Sequence, residues 1–166
     1  MPEKQTIERA QKDKRAGRAP GTQAGEFVRE EIHKIRRGEH GARSAKQAIA
    51  IGLSEARRAG VDLPPPQKGK VSERTRKSAQ RAYEVGQGKR APRAPSAKRS
   101  RAIKAALKRE PTGTVSREAL AKQTRAAAKR RTAAERSAAA KKAVRTKGPA
   151  ERRAAARKAA RTRAAA

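Results

Sequence analysis

Between positions 24 and 56 the apolar residues return at helical intervals. At about 100° per residue, Ala24, Phe27, Val28, Ile32 and Ile35 fall within an arc of about 140°. Ala45, Ala48, Ile49, Leu53 and Ala56 repeat the same offsets, and Gly52 takes the slot that Glu31 holds in the first set. Two helices with matching apolar faces are predicted over residues 22–60, joined into an αα-hairpin by a loop at 38–41 that holds Glu39 and His40. Thr22 is placed to cap the first. Ser44 followed by Gln47 reads as a capping box for the second, and Gly60 as a left-handed helix end after which Val61 folds back on Ala56.

Outside this stretch the apolar pattern thins. Residues 3–16 suit a helix, but Ile7 and Ala10 make a narrow stripe, which predicts a solvated, fraying segment. GRAPG at 17–21 breaks it. Pro64, Pro65 and Pro66 forbid further helix and predict an extended spacer over 64–71. A weak helix with Ala79, Ala82 and Tyr83 on one side is predicted within 72–95, ending in the linker GQGKRAPRAP. A minor helical hairpin over 96–120 would use Ile103, Ala106 and Leu107, then Val115, Ala119 and Leu120 after a new start near Thr114.

From 121 to 166 the chain is Ala with Lys and Arg, and it repeats itself. AERSAAAKKAVRT (134–146) and AERRAAARKAART (150–162) match at 10 of 13 positions with a period of 16. Ala, Lys and Arg favour helix, but like charges at i and i+4 repel and there is no apolar face to pack. The expectation is an all-α protein without β-sheet: a small αα-hairpin module carrying a long basic tail, partly disordered or conditionally helical.

Charge decides what such a tail is for. The 166 residues hold 46 Lys plus Arg against 15 Asp plus Glu, a formal net charge of +31. Residues 1–63 account for only +5 of it and residues 64–166 for +26. This exceeds what solubility requires and favours polyanions, whose phosphates would be neutralised with release of counterions. The candidate phosphate contacts are Lys122, Arg125, Lys129, Arg130, Arg131, Arg136, Lys141, Lys142, Arg145, Lys147, Arg152, Arg153, Arg157, Lys158, Arg161 and Arg163. With one Phe, one Tyr and no Trp, there are no interleaved aromatics to stack on single strands, and Tyr83 alone reads as an ordinary surface tyrosine. Duplex DNA is therefore favoured over single-stranded RNA.

Other chemistries find less. Arg43, Ser44, Lys46 and Gln47 stand where a helix-turn-helix would present donors to bases or backbone, yet the loop is long and no third packing helix is evident. RAGRAP (15–20) and KRAPRAP (89–95) lack the Arg-Gly-Arg-Pro core of a minor-groove hook. Glu30 and His33, with His40 nearby, have the spacing of a carboxylate di-metal bundle, but an i, i+4 pair of Glu30 with Lys34 is simpler. No metal, cofactor or catalytic set is expected. With no Cys, no export signal and no run of about 20 apolar residues, a cytoplasmic protein without membrane contact is the default. The hairpin's larger apolar residues, Phe27, Val28, Ile32, Ile35, Ile49, Leu53 and Val61, are few for the chain they must order. Pairing with a second copy or a protein partner is expected, which would also cover Ile51.

Residues 1–66, above all GARSAKQAIAIGLSEARRAGV, resemble a family of small basic, mostly proteobacterial proteins labelled DNA-binding or plasmid stabilization protein. The resemblance implies no catalytic residues. The tail is similar in composition to the Ala, Lys and Arg-rich ends of histone-like bacterial proteins. Together these readings predict a non-enzymatic, largely sequence-nonspecific, nucleoid-associated DNA-binding protein. An adaptor in plasmid maintenance working through a protein partner, or an RNA- or ribosome-associated protein, are the alternatives.

Overall fold

The computed structural model describes residues 3–94, 96–146 and 148–164, and among them there is no strand. The helices are α1 (Lys4–Arg15), α2 (Pro20–Arg36), α3 (Ala45–Arg58), α4 (Glu73–Gly86), α5 (Ala97–Arg109), α6 (Arg117–Lys129), α7 (Ala133–Thr146) and α8 (Pro149–Ala164), with a 3-10 turn at Gly113–Val115. The protein is all-α, and it divides into two units, Met1–Ala121 and Lys122–Ala166.

In the first unit α2 and α3 form the predicted hairpin. The Ser44 hydroxyl accepts from the Gln47 N–H at 3.2 Å, while the Gln47 side chain reaches one residue beyond the cap and accepts from Arg43 N–H at 2.9 Å. At the other end Gly60 (φ +90°) donates to Arg57 O and Val61 to Ala56 O at 3.1 Å each, the closure the sequence implies. The start of α2 differs: Pro20 holds the first helical position and Ala19 the cap, so Thr22 lies inside the helix. Proline's fixed φ and missing N–H suit that position.

What covers the hairpin comes from its own chain. α1 is packed rather than solvated: Thr6 and Ala10 are buried, and Ala10 joins Ala24, Phe27, Ala56 and Val61 in one core with Ile7 and Leu63 against it. A small residue and a hydroxyl suffice because Arg9 locks the helices from the rim, donating to Glu26 at 2.8 Å and to Thr6 Oγ1 at 3.0 Å. A second core at the loop end holds Ile35, Ala42, Ala48 and Val115. Val115 arrives from beyond α5. Arg36 grips its carbonyl at 3.0 and 3.2 Å, and Gly41 and Ala42 donate backbone N–H groups to Leu107 O and Pro111 O. The minor hairpin is thus replaced. α5 buries no residue, leaving Ile103 exposed, and Val115 serves α2 and α3 instead. α6 starts after Ser116, whose hydroxyl accepts from Ala119 N–H, rather than at Thr114.

The prolines do not release the chain. Arg57, itself buried, donates to Leu63 O at 3.1 Å and Pro64 O at 3.4 Å, strapping the extended segment along α3. α4 then returns onto α3 with Ala79 and Ala82 buried, and Tyr83 donates to Asp62 at 2.7 Å.

The second unit holds the rest of α6 with α7 and α8. In place of disordered chain the described tail is helix, in keeping with its Ala, Lys and Arg content. The sequence repeat has a structural counterpart. Thr146 Oγ1 donates to Lys142 O at 2.9 Å, and sixteen residues on Thr162 Oγ1 donates to Lys158 O at 3.0 Å. The copies start differently: Thr132 and Glu135 close a capping box on α7, whereas Gly148 holds the corresponding position before α8.

Candidate nucleic-acid interface

Every described residue of α7 and α8 is exposed. On α8, Arg152, Arg153, Arg157, Lys158, Arg161 and Arg163 spread over about 240° of the circumference of a rod about 24 Å long. On α7, Arg136, Lys141, Lys142 and Arg145 do the same over a similar length. Lys122, Arg125 and Lys129 are exposed on α6, and Arg130 and Arg131 in the turn after it; Lys147 lies outside the described residues. Residues 122–166 carry sixteen basic and two acidic side chains, net +14. These helices therefore offer a large excess of exposed positive charge, suited to phosphates.

The start of α3 is a poorer interface. Ser44 and Gln47 are committed to the cap, and Arg43 lies 4.0 Å from Glu110. Lys46 alone of the four stands exposed and without a partner. Third and fourth packing helices do exist, as α1 and α4, but the segment crossing from Leu107 to Val115 occupies the loop where a helix-turn-helix needs an open approach.

Of the residues proposed for hairpin packing or self-association, Phe27 and Ile35 are fully buried in the cores and have no surface to offer. Val28, Ile32, Ile49, Ile51 and Leu53 are half-buried. Ile49, Ile51 and Leu53 line a mostly apolar groove of about 450 Å³ with Pro66, Val71 and Ala79, between α3 and α4.

The acidic residues on α2 are used for packing. Glu30 pairs with Arg37 at 3.1 Å and Arg9 at 3.5 Å rather than with Lys34, which lies 4.0 Å from Glu3. Burial pushes the Glu30 carboxyl up, and the Arg37 hydrogen bond with the charges of Arg37, Lys34 and Arg9 more than reverses it, so it titrates below the usual range. Glu31 is the opposite case. It is 2% exposed, its Oε1 has no hydrogen-bond partner, and His40 Nε2 stands 3.7 Å away. Burial raises its pKa against the lowering effect of His40. His33 is exposed, and no cluster of three metal-ligating side chains occurs among the described residues.

One set of basic residues escapes a reading by composition. Arg58, Arg81, Arg93 and Arg99 come from well-separated parts of the first unit and line one recess. Their spacing in sequence carries no periodic signal; the packing of α4 on α3 brings Arg58 near Arg81, and the chain that follows α4 adds Arg93 and Arg99.

Fold and surface define an all-helical, strongly basic protein with an arginine- and lysine-clad second unit. Residues 11–68, from the end of α1 through α2 and α3 to just past the prolines, match the model of a family of unknown function (DUF6496). No curated protein and no solved structure matches the chain. Among the described residues no helix is long and apolar enough to cross a membrane.

Proposed function

We propose that this protein is a non-enzymatic, nucleoid-associated DNA-binding protein that coats duplex DNA with little regard to base sequence. The observation that supports the reading is the second unit, whose described basic side chains on α7 and α8 are all exposed. Such rods bind phosphates through charge and counterion release, so affinity is high, weakly sequence-dependent and steeply salt-dependent. The first unit is the anchor that carries the rods. The reading implies a protein of the nucleoid, in the cytoplasm.

The test compares the full chain with one ending at Ala121, on duplexes of different sequence across a salt series. Truncation is expected to weaken binding strongly and to flatten the salt dependence. Unchanged affinity on truncation, or a salt slope near zero, sinks the reading. A structured RNA that outcompetes duplex DNA would move the assignment to an RNA-associated protein.

The groove between α3 and α4 favours a second reading, in which the first unit docks a protein, either a second copy or a partner in plasmid maintenance. Sedimentation of the full chain bearing Ile51→Glu tests the self-association form. A monomer before and after the substitution removes it.

A further inference from the structure

Half of the first unit's arginines are engaged within the unit itself. Arg9, Arg18, Arg37, Arg76 and Arg90 reach carboxylates, and Arg36 and Arg57 hold backbone carbonyls. What sets Arg58, Arg81, Arg93 and Arg99 apart is that they line one recess, of about 620 Å³, beside the α3–α4 junction. Arg58 ends α3, Arg81 lies on α4, Arg93 lies in the following segment, and Arg99 lies in the first turn of α5 beside Ser96. None of the four makes an ion pair or a side-chain hydrogen bond among the described residues, and no carboxylate lines the recess. Glu84, one turn along α4 from Arg81, is already held by Gln80 and Arg90 at 2.8 Å each.

One side of the recess is firm. Gly86, at the end of α4, is packed on Arg57 O and Gly60 N so closely that a Cβ could not fit, and the Gln87 side chain donates to Gly60 O at 3.4 Å. That contact fixes the end of α3 against α4, and with it the approach of Arg58 to Arg81. A second, smaller recess lined by Val85, Arg90 and Ala91 shares Arg81 and Arg93, so the positive lining continues beyond the first. Four like charges converging on one concave site raise one another's energy, and an oxyanion with several acceptor oxygens relieves it. Guanidinium forks match phosphate oxygens two at a time. The volume admits a phosphodiester with its sugar.

From this we infer that the recess is a phosphate-binding site, which seats a backbone phosphate of the duplex and so fixes the first unit on DNA. The inference rests on the duplex-DNA reading for the source of the phosphate but not for the site itself. A free polyphosphate offers the same chemistry, and the experiment separates the two.

Three full-length chains are compared on a 20-bp duplex at several salt concentrations: the unaltered protein, R58Q/R81Q/R93Q/R99Q, and the equally charged R136Q/R152Q/R157Q/R161Q. Circular dichroism and thermal melting of each report whether the fold is kept. In parallel, arginines of the unaltered protein are modified with phenylglyoxal, alone, with the duplex and with inorganic pyrophosphate. A built site predicts that the recess variant loses at least about tenfold more affinity than the tail variant, and that the duplex protects the four recess arginines. Equal losses in the two variants overturn the inference, as does reactivity of the four unchanged by both duplex and pyrophosphate. Protection by pyrophosphate in a chain that fails to bind duplex would keep the site, make a free polyphosphate its ligand, and overturn the DNA reading alone.

Discussion

Gly52 of α3 lies directly against Val28 of α2: a Cβ added at Gly52 would stand 2.7 Å from the Val28 Cα and 2.8 Å from its nitrogen. The neighbour is backbone, which cannot swing aside, so the two helices would have to separate along their packed faces.

Gly52→Ala therefore sets two effects against each other. Alanine gains about 1 kcal/mol of helix propensity over glycine, and overpacking a tight contact costs about 1 to 3 kcal/mol. The expected outcome is net destabilisation. Gly25, in the interior of α2, has nothing within 4 Å of such a Cβ and is exposed, so Gly25→Ala should stabilise by about 0.5 to 1 kcal/mol. Urea unfolding of both variants checks the pair. A stabilised Gly52→Ala would mean that the helices are not in contact there.

The hairpin was legible because its apolar residues, with Phe27 and Ile35 among them, are spaced by the helical period, and because Ser44, Gln47 and Gly60 mark its ends. What covers it was not. The buried side of α1 is Thr6 and Ala10, and that of α4 is Ala79 and Ala82, residues too small or too polar to stand out in a hydropathy pattern. Val115 looks like part of a local stripe, and only its distant partners Ile35, Ala42 and Ala48 give it another role. The expected need for a second copy followed from counting large side chains. The structure meets much of that need with backbone approach at glycines and with Arg9, Arg36 and Arg57 as straps, none of which a count of hydrophobes registers. The exposed basic character of the tail was legible from composition alone, because it depends on charge rather than on tertiary contact.

Arg57 is the strap that holds the proline segment, and Arg57→Met keeps its apolar stem while removing every side-chain donor. Leu63 O and Pro64 O lose their partners, and burial no longer opposes a charge at this position. The unmade hydrogen bonds outweigh the relieved desolvation only in part, because the exposed Pro64 can turn to water. A net loss of about 1 kcal/mol is expected in urea unfolding. An unchanged midpoint would show that the proline segment is not held by Arg57.

Val115 tests whether the chain beyond α5 belongs to the first unit. It is completely buried against Ile35, Ala42 and Ala48, and Arg36 holds its carbonyl. Val115→Ala should cost about 1 to 2 kcal/mol, whereas Val144→Ala, on the half-exposed Val144 of α7, should leave the unfolding midpoint in place. Equal effects of the two substitutions would detach the 107–115 segment from the core.

Glu31 supplies a pH dependence with a definite sign. Burial, with the nearby charges of Glu55 and Glu39, holds its pKa above the usual carboxylate value, against the opposing charges of His40 and Lys34. The folded state thus favours the protonated acid. This contribution to stability is present below the unfolded pKa and is lost as pH rises through the raised folded one. At neutral pH the carboxylate is buried with one oxygen unbonded, a cost that a neutral amide of the same shape avoids. Glu31→Gln should therefore raise the melting temperature at pH 7.5 by about 3 to 6 °C, corresponding to about 1 kcal/mol. The advantage should shrink towards zero at about pH 4, where Glu31 in the unaltered chain is protonated as well. Glu30 works in the other direction. Its pKa is depressed, so the stability from its pairing with Arg37 and Arg9 is present above the unfolded carboxylate value and fades as pH falls through the folded one. Melting curves of Glu31→Gln and Glu30→Gln across the acid range should therefore diverge from the unaltered protein with opposite sign at neutral pH. Destabilisation by Glu31→Gln at pH 7.5 would show that its contact with His40 is worth more than its desolvation costs.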